Sequence, residues 1–239
     1  MDVLIEQASE STIRVLPHQQ YHAPHFDPSS VLSDPLAQFR LWFSDAAAAN
    51  VKEPEAMILS TATPTGLPSA RAVLLKQVDA RGFTFYTNYT SRKSAELQAN
   101  PHAALVFYWR EVHRSVRVVG LVERVSREES AQYFASRPLG SRLGAWASPQ
   151  SQIVAEGEVS SRLDDVRARF GVEGDPTDAD IPIPEFWGGW RVVPTEVEFW
   201  AGQPSRLHDR VRYMRQGEPS SEEVDGDHAA MWKVDRLAP

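Results

Sequence analysis

The sequence contains no cysteine in its 239 residues. That absence excludes disulfide bonds, catalysis by a thiolate and zinc sites built on cysteine. No apolar run comes near the ~18 residues that a membrane-spanning helix requires. Residues 1–6 also lack the basic and then apolar pattern of a secretory signal peptide. We therefore predict a cytoplasmic protein without a membrane segment.

Positive charge is in short supply as well. There are 25 lysines and arginines against 32 aspartates and glutamates, which gives a formal net charge of −7. Such a balance argues against broad electrostatic binding to nucleic acid or anionic membranes, so an anion site must be a local cluster. The sequence also lacks the Ser-His-Asp order, the Walker loop and the Gly-x-Gly-x-x-Gly fingerprint. No metal site is predicted, because the histidines of residues 1–30 have no acidic or sulfur partner at ligand spacing.

The pattern that is present indicates a mainly β protein with peripheral helices. Segments rich in β-branched and aromatic residues predict strands over 56–62, 69–78, 82–88, 103–109, 115–125, 191–200, 207–215 and 231–237. Helices are predicted over 34–49, 91–98, 126–137 and 160–170, and a loop or short turn over 143–149. Consecutive strands with only one short helix between them favour a barrel over a parallel α/β sheet. Residues 1–30 are predicted to form a flexible arm, and residues 31–239 a single domain.

Two cations, Arg92 and Lys93, follow the N-cap candidate Ser91 at the start of a predicted helix. A helix N-terminus carries partial positive charge, so each cation there is unfavourable by roughly 0.3–1 kcal/mol. A bound anion, with phosphate the natural candidate, would resolve this conflict, because the free N–H groups and both side chains would point at it. The alternative is that both side chains reach into solvent, and spacing alone does not decide between the two.

Arg206, His208 and Arg210 alternate in sequence and would share one face of a strand. Three potential cations in a row within an acidic protein favour an anionic ligand. The alternative is an exposed strand face whose charge Asp209 balances.

Tyr133 and Arg137 are four residues apart on one face of a predicted helix, and Ser141 follows shortly after its end. Hydroxyl and guanidinium groups are suitable phosphate donors. On spacing alone, packing of Tyr133 in the core and capping of the helix by Arg137 are favoured.

Arg71 and Lys76 flank an apolar stretch and have opposite strand parity. Their side chains would therefore point to opposite faces of a regular strand. A shared ligand requires a bulge or a strand end between them.

Together these stretches resemble the pyridoxine (pyridoxamine) 5′-phosphate oxidase family. The matching stretches occur in family order from about Asp34 onward and are 71–76, 85–88, 91–93, 133–134, 136–138, 144–146, 186–189, 198–200, 206–210 and 232–239. The resemblance implies a split β-barrel, a homodimer and FMN bound at the subunit interface. It also implies oxidation of pyridoxine or pyridoxamine 5′-phosphate to pyridoxal 5′-phosphate, with O2 reduced to H2O2.

The resemblance also implies the site residues, by motif match. The implied flavin-binding residues are Arg71, Ala72, Val73, Leu74, Leu75, Lys76, Tyr86, Thr87, Arg92, Lys93, Gln150, Ser151, Trp200 and Arg210. The implied ligands of the substrate phosphate are Lys76, Tyr133, Arg137 and Ser141. Arg206 and His208 would act as the catalytic pair that positions the substrate ring and its reacting carbon. Because a flavin carries the redox step, the missing nucleophile is consistent with this activity.

The chain departs from the family pattern at two places. Ser115 stands where the family commonly has a glutamine near the flavin, and Gln19-Gln20 stands before Tyr21 where many members have a basic pair. Two other functions remain open: a related FMN-dependent oxidase of a secondary-metabolite pathway, and a non-catalytic flavin-binding barrel. Relatives of the first kind tend to lose the residues that bind the substrate phosphate. Because this chain keeps those residues together, oxidation of the vitamin B6 phosphates is favoured.

Overall fold

The computed structural model describes residues 5–9, 12–15, 20–172, 174, 179–217 and 231–239. Within these ranges the strands are β1 (Ile5–Ser9), β2 (Thr12–Val15), β3 (Ala56–Ala62), β4 (Pro68–Leu74), β5 (Gln77–Val78), β6 (Phe83–Asn88), β7 (His102–Trp109), β8 (Arg114–Arg124), β9 (Trp187–Ala201), β10 (Asp209–Gln216) and β11 (Met231–Arg236). The helices of the same ranges are α1 (Pro35–Ala48), α2 (Arg92–Ala99), α3 (Arg127–Ser136), α4 (Leu139–Ala147) and α5 (Glu158–Arg169), with short 3-10 turns at Arg110–Val112 and Pro204–Arg206. In this part of the chain no helix combines the length and the apolar character that crossing a bilayer requires.

Nine of the described strands form one sheet in the order β11-β10-β9-β8-β7-β3-β4, with β6 attached to β9 and β5 to β6. One edge of β9 pairs with β8 along almost its whole length. The other edge pairs with β6 from Trp187 to Val192 and with β10 from Glu196 to Ala201. Pro194 lies between these two segments and has no N–H to donate to a neighbouring strand. The sheet therefore divides at this point, and the fold is mainly β, as predicted.

The main core lies between this sheet and α1. The Asp34 carboxylate caps α1 by accepting hydrogen bonds from two backbone N–H groups of its first turn, at 3.0 and 2.9 Å. Buried apolar residues recur at helical spacing along α1 and are Leu36, Phe39, Trp42 and Ala46. The ring centroid of Phe39 lies 4.9 Å from those of Phe83 and Phe107, so the helix packs directly on the strands.

A second, smaller core lies under α3, α4 and α5. Its buried residues are Phe134, Leu139, Leu143, Val172, Ile181 and Trp187. The prediction of a loop over 143–149 is wrong, because α4 continues to Ala147. Leu139, Leu143 and Ala147 are four residues apart and share its buried face, but two intervening glycines, which are poor helix formers, obscured the pattern. Trp187 belongs to β9 and so connects this core to the sheet.

The N-terminal arm contains a regular element that the sequence analysis missed. β1 and β2 pair as an antiparallel hairpin, with Ile5 opposite Val15. β-branched residues favour strands, but the two segments have only 5 and 4 residues and gave a weak pattern. Gln19, one of the two glutamines noted above, lies outside the described residues.

The close approach of β8 and β9 predicts a sensitive position at Gly120. The pairing of these strands shifts register between Val119 and Gly120, and a Cβ atom at Gly120 would lie 2.1 Å from the backbone oxygen of Val193. Because a backbone atom cannot move aside cheaply, we expect Gly120→Ala to lower the free energy of unfolding by about 1–3 kcal/mol. Urea denaturation followed by tryptophan fluorescence measures this.

Gly140→Ala in α4 is the matched control for that substitution. No heavy atom lies within 4 Å of a Cβ at this position. Alanine is the better helix former by up to ~1 kcal/mol, so this variant should be as stable as the parent or more so. Equal stability of the two variants would contradict the steric explanation.

Candidate functional site

A pocket of about 460 Å³ opens where β4 and β6 meet α2, α3 and α4. We call it the basic pocket. It is lined by Arg71, Ala72, Val73, Leu74, Lys76, Tyr86, Thr87, Lys93, Tyr133, Arg137, Pro138, Ser141, Gln150 and Trp187. Four of these side chains are cationic, although the chain as a whole is acidic. The pocket is therefore the kind of local cluster that an anionic ligand requires.

The end of β4 explains how Arg71 and Lys76 reach the same pocket. β4 ends at Leu74, and the Leu75 side chain turns into the core with 7% exposure. The Lys76 N–H then donates to the carbonyl of Thr84 at 2.9 Å, so the chain resumes pairing after the break. The strand predicted over 69–78 is therefore interrupted, and a strand end, one of the two breaks that a shared ligand would require, separates Arg71 from Lys76.

The start of α2 supplies Lys93 to the pocket. Ser91 is the N-cap, as predicted, and its hydroxyl accepts from the N–H of Ser94. The buried Lys93 ammonium group donates to Gln150 Oε1 at 2.9 Å and to Thr87 Oγ1 at 3.3 Å. Burial lowers the pKa of Lys93, and the nearby charge of Arg71 lowers it further. A phosphate dianion would offset both effects, because it stabilises the charged form of the lysine.

An aromatic wall forms one side of the basic pocket. The ring centroids of Tyr86 and Tyr133 lie 4.1 Å apart, and those of Tyr86 and Trp187 lie 5.5 Å apart, with nearly parallel planes. The guanidinium group of Arg137 lies 4.9 Å from the centroid of the Trp187 ring. Burial raises the pKa of Tyr86 to about 12, with the charge of Glu129 as the next contribution, so its hydroxyl stays protonated.

Arg137 is half-buried, and one atom of its guanidinium group, Nη1, is a buried donor without a partner in the described part of the chain. Among the described residues its Nη1 atom has no hydrogen-bond partner, although water does not reach it. Burial also lowers the pKa of Arg137. An unpaired buried donor is costly, by about 1–3 kcal/mol or more for a charged group. A phosphate oxygen in the pocket would satisfy it, so the residues present fit an anionic ligand.

A second pocket of about 440 Å³ lies on the outer face of the sheet, and we call it the sheet-face pocket. It is lined by Tyr21, Val106, Tyr108, Ser115, Arg117, Glu198, Trp200, Arg210 and Pro239. Glu198 is buried and accepts from Arg210 Nε at 2.7 Å and from Arg117 Nη2 at 2.8 Å. Burial alone would raise the pKa of Glu198, but the hydrogen bonds from the two arginines outweigh it and lower the pKa. Ser115 turns its hydroxyl to the carbonyl of Phe107, at 2.9 Å.

The row predicted for Arg206, His208 and Arg210 does not form. β10 begins at Asp209, so Arg210 alone of the three lies on a strand. Arg206 ends a 3-10 turn, is exposed and has a left-handed φ of 62°. His208 Nδ1 accepts a hydrogen bond from the N–H of Gln203 at 3.1 Å, which closes a loop where the sequence predicted an extended strand.

His208 nevertheless lies beside the sheet-face pocket. Its ring centroid is 4.7 Å from that of Trp200 and 5.6 Å from that of Tyr21. Burial lowers the pKa of His208, and the positive charge of Arg206 lowers it further. The ring is therefore neutral at neutral pH, and because Nδ1 accepts a hydrogen bond, its proton is on Nε2.

The structure thus separates the predicted site residues into two groups. The basic pocket holds the predicted residues of β4, β6, α2, α3 and α4 together with Gln150, whereas Trp200 and Arg210 line the sheet-face pocket. Leu75 faces the core, and neither Arg92 nor the exposed Ser151 lines the basic pocket.

Sequence reasoning missed two buried carboxylates: Glu198, which lines the sheet-face pocket, and Glu96, which lies beside Arg71 of the basic pocket. Glu96 follows Arg92 by four residues on α2, and this spacing was a usable indication of the ion pair that they form at 2.8 Å. Glu198 pairs with Arg210 across neighbouring strands, and no local pattern indicates such a contact.

Both pockets border the outer face of the sheet. Ala72, which lines the basic pocket, lies opposite Ile58 on β3, and Ile58 lies opposite Val106 on β7, which lines the sheet-face pocket. Ile58, Leu74 and Tyr108 on this face are 43%, 39% and 51% exposed.

Comparison with known proteins gives two family matches. Residues 43–167 match the family model described as pyridoxamine 5′-phosphate oxidase, and residues 187–239 match the pyridoxine 5′-phosphate oxidase C-terminal dimerisation region. A relative from Salinibacter ruber named pyridoxine/pyridoxamine 5′-phosphate oxidase is 50% identical over 222 residues, which are 92% of this chain and 96% of the relative. One of the same name from Bordetella avium is 53% identical over 205 residues, or 86% of this chain and 89% of the relative.

Two solved structures resemble the fold over most of the chain. PhzG from Burkholderia lata, in complex with tetrahydrophenazine-1-carboxylic acid, has a TM-score of 0.77 at 30% identity and covers 91% of this chain and 99% of its own. A pyridoxamine 5′-phosphate oxidase-related, FMN-binding protein from Nostoc punctiforme has a TM-score of 0.63 at 17% identity and covers 84% of this chain and 97% of its own.

Proposed function

The chain belongs to the pyridoxamine 5′-phosphate oxidase family, and we propose that it oxidises pyridoxine 5′-phosphate and pyridoxamine 5′-phosphate to pyridoxal 5′-phosphate while O2 is reduced to H2O2. It is an oxidoreductase with FMN as its cofactor, and its fold is the split β-barrel of this family. The observation that carries the choice of substrate is the buried, unpaired Nη1 of Arg137 in the basic pocket. A second phosphate, in addition to that of FMN, gives this donor a partner.

The two phosphates are assigned to different ends of the basic pocket. Arg71, Thr87 and Lys93 hold the FMN phosphate, with Arg92 at the start of α2 and Tyr86, Gln150 and Ser151 beside it. Residues 71–76 would contact the flavin through their backbone. Lys76, Tyr133, Arg137 and Ser141 bind the substrate phosphate. The hydroxyls of Tyr133 and Ser141 are neutral donors, and the two cations balance the dianion.

The two pockets are completed by a homodimer in this proposal. The match of residues 187–239 to a dimerisation region supports it, as does the exposed apolar face that carries Ile58, Leu74 and Tyr108. A two-fold contact across this face places the basic pocket of one subunit against the sheet-face pocket of its partner. Trp200 and Arg210 then contact the flavin from the partner subunit.

The reaction requires positioning more than acid–base chemistry from the protein. FMN supplies the acceptor for the hydride that leaves the substrate's hydroxymethyl or aminomethyl carbon. Arg206 and His208 hold the substrate ring in place, and the neutral His208 offers its Nε2–H as a donor to a ring substituent. Holding the reacting carbon in line is worth several orders of magnitude in rate.

An assay with pyridoxine 5′-phosphate tests this function. The purified protein should be yellow, and each aldehyde formed should be matched by one H2O2 with O2 as the only oxidant. Reduced phenazine carboxylates are tested as substrates in a second arm of the assay. They are chosen because the likeness to PhzG favours a related oxidase as the alternative. Full flavin occupancy with no turnover of either vitamin B6 phosphate would reject the proposal, and turnover in the second arm alone would favour that alternative.

A further inference from the structure

A buried carboxylate lies directly behind the basic pocket, and none of the roles above uses it. Glu96 on α2 has a side chain that is 7% exposed. Its Oε2 atom accepts from the hydroxyls of Thr61 at 2.5 Å and Ser69 at 2.6 Å. Its Oε1 atom accepts from Arg92 Nε at 2.8 Å, and Arg71 Nη2 lies 3.4 Å from Oε2. One carboxylate therefore joins β3, β4 and α2.

The hydroxyls of Thr61 and Ser69 connect Glu96 to Arg71 through hydrogen bonds whose donors and acceptors are fixed. Arg71 Nη1 donates to Thr61 Oγ1 at 2.6 Å, and Arg71 Nη2 donates to Ser69 Oγ at 2.5 Å. A hydroxyl can donate one hydrogen bond, and here each hydroxyl donates it to the Glu96 carboxylate. The lone pairs of both oxygens consequently face the Arg71 guanidinium. A side chain at position 96 maintains these hydrogen bonds only if it accepts from the two hydroxyls and from Arg92 and carries no proton of its own.

Ionisation of Glu96 supports that arrangement. Burial would raise the pKa of its carboxyl, but hydrogen bonds from Ser69, Thr61 and Arg92 outweigh burial and lower the pKa to about 2. The carboxylate is therefore charged at neutral pH. Arg71 and Arg92 both direct their side chains toward it.

We propose that Glu96 is a positioning residue that fixes the guanidinium groups of Arg71 and Arg92 for the FMN phosphate. This inference rests on the placement of that phosphate given under the proposed function. Glu96 does not touch the ligand itself, and it acts by orienting donors before the ligand arrives. Preorganised donors bind an anion more tightly than donors that must first be ordered.

The sign of the affinity change separates this role from a simple charge effect. A carboxylate near a phosphate repels it, so removal of the charge alone would tighten FMN binding. Glutamine at position 96 has the same shape but brings an NH2 group. That group must face either the Arg92 Nε–H or the two hydroxyls, and both arrangements place donor against donor. Positioning therefore predicts weaker binding, opposite to the effect of charge.

The experiment measures the FMN dissociation constant of the full-length apoprotein by quenching of flavin fluorescence. We expect Glu96→Gln to weaken FMN binding about tenfold. Glu158→Gln is the matched control, because Glu158 also pairs with an arginine four residues away, Arg162, but on the exposed helix α5. The control should bind FMN like the parent protein. Unchanged or tighter binding by Glu96→Gln would overturn the inference.

Two further variants keep the outcome clear. Ser69→Ala removes one of the two hydroxyl links and leaves Glu96 in place, so it should weaken FMN binding several-fold; it decides the question if Glu96→Gln does not fold.

Lys93→Ala tests the placement of the phosphate itself. If Lys93→Ala binds FMN normally, the proposed site is wrong; if it binds poorly while the Glu96 and Ser69 variants bind normally, only the positioning role is wrong. The thermal midpoint of each apoprotein separates lost affinity from lost folding.

Discussion

Two nearly inactive variants, Arg137→Ala and Arg206→Ala, should restore activity to each other when their subunits are mixed. Arg137 lines the basic pocket, and Arg206 belongs to the loop beside the sheet-face pocket. If a complete site takes one pocket from each subunit, an equimolar mixture after subunit exchange should regain about a quarter of the parent turnover.

The expected fraction follows from counting sites in a two-fold dimer. About half of the dimers in the mixture contain one subunit of each kind. In such a mixed dimer, one site combines both substituted pockets and the other combines both intact pockets. One intact site in every two, in half of the dimers, gives about a quarter of the parent activity.

Mixed dimers that carry different affinity tags can be purified and assayed directly. Recovery of activity in this fraction is the expected result. If both groups of residues serve a site within one chain, every site in the mixed dimer keeps one defect and no activity returns. Arg137→Ala mixed with Lys76→Ala is the control, because both residues line the basic pocket and exchange cannot produce an intact site.

Local chemistry made much of the fold predictable. Asp34 and Ser91 cap their helices as the sequence indicates, because capping depends on neighbouring residues alone. Strand parity, which is also local, required a break between Arg71 and Lys76 if the two share a ligand, and β4 ends at Leu74. Two other local predictions are wrong, because residues 143–147 belong to α4 and the row of Arg206, His208 and Arg210 does not form.

Contacts between distant segments explain what the sequence could not provide. The loop that holds Arg206 is closed by the bond from Gln203 to His208 and by contacts of the Gln203 amide with the carbonyl of Ala23 at 3.0 Å and with Asp209 at 3.1 Å. These partners lie up to 180 positions apart in sequence. The strand predicted over 207–215 begins only at Asp209, because tertiary hydrogen bonds impose a turn on the residues before it. The separation of the site into two pockets has the same cause, since sheet order decides which residues meet.

Arg206→Ala should lower kcat/KM for pyridoxine 5′-phosphate by about 10²-fold or more and leave FMN affinity unchanged. The reason is that Arg206 is assigned to the substrate and not to the flavin. Steady-state kinetics with FMN titration on the same preparation measures both quantities. Arg162→Ala on α5 is the control for loss of an exposed arginine, and it should retain the parent kinetics.

The backbone of this turn supports the assignment of Arg206 to substrate. Ser205 and Arg206 are consecutive residues with left-handed φ values of 60° and 62°. A residue other than glycine in this region costs on the order of 1–3 kcal/mol, and such strain persists where the surrounding structure enforces it, often at ligand sites. Here the exposed Arg206 lies on a turn flanked by Gln203 and Asp209, which are buried and hydrogen-bonded to each other. Loss of FMN from the Arg206→Ala variant would show instead that this turn serves the cofactor, and the catalytic role given to Arg206 would be wrong.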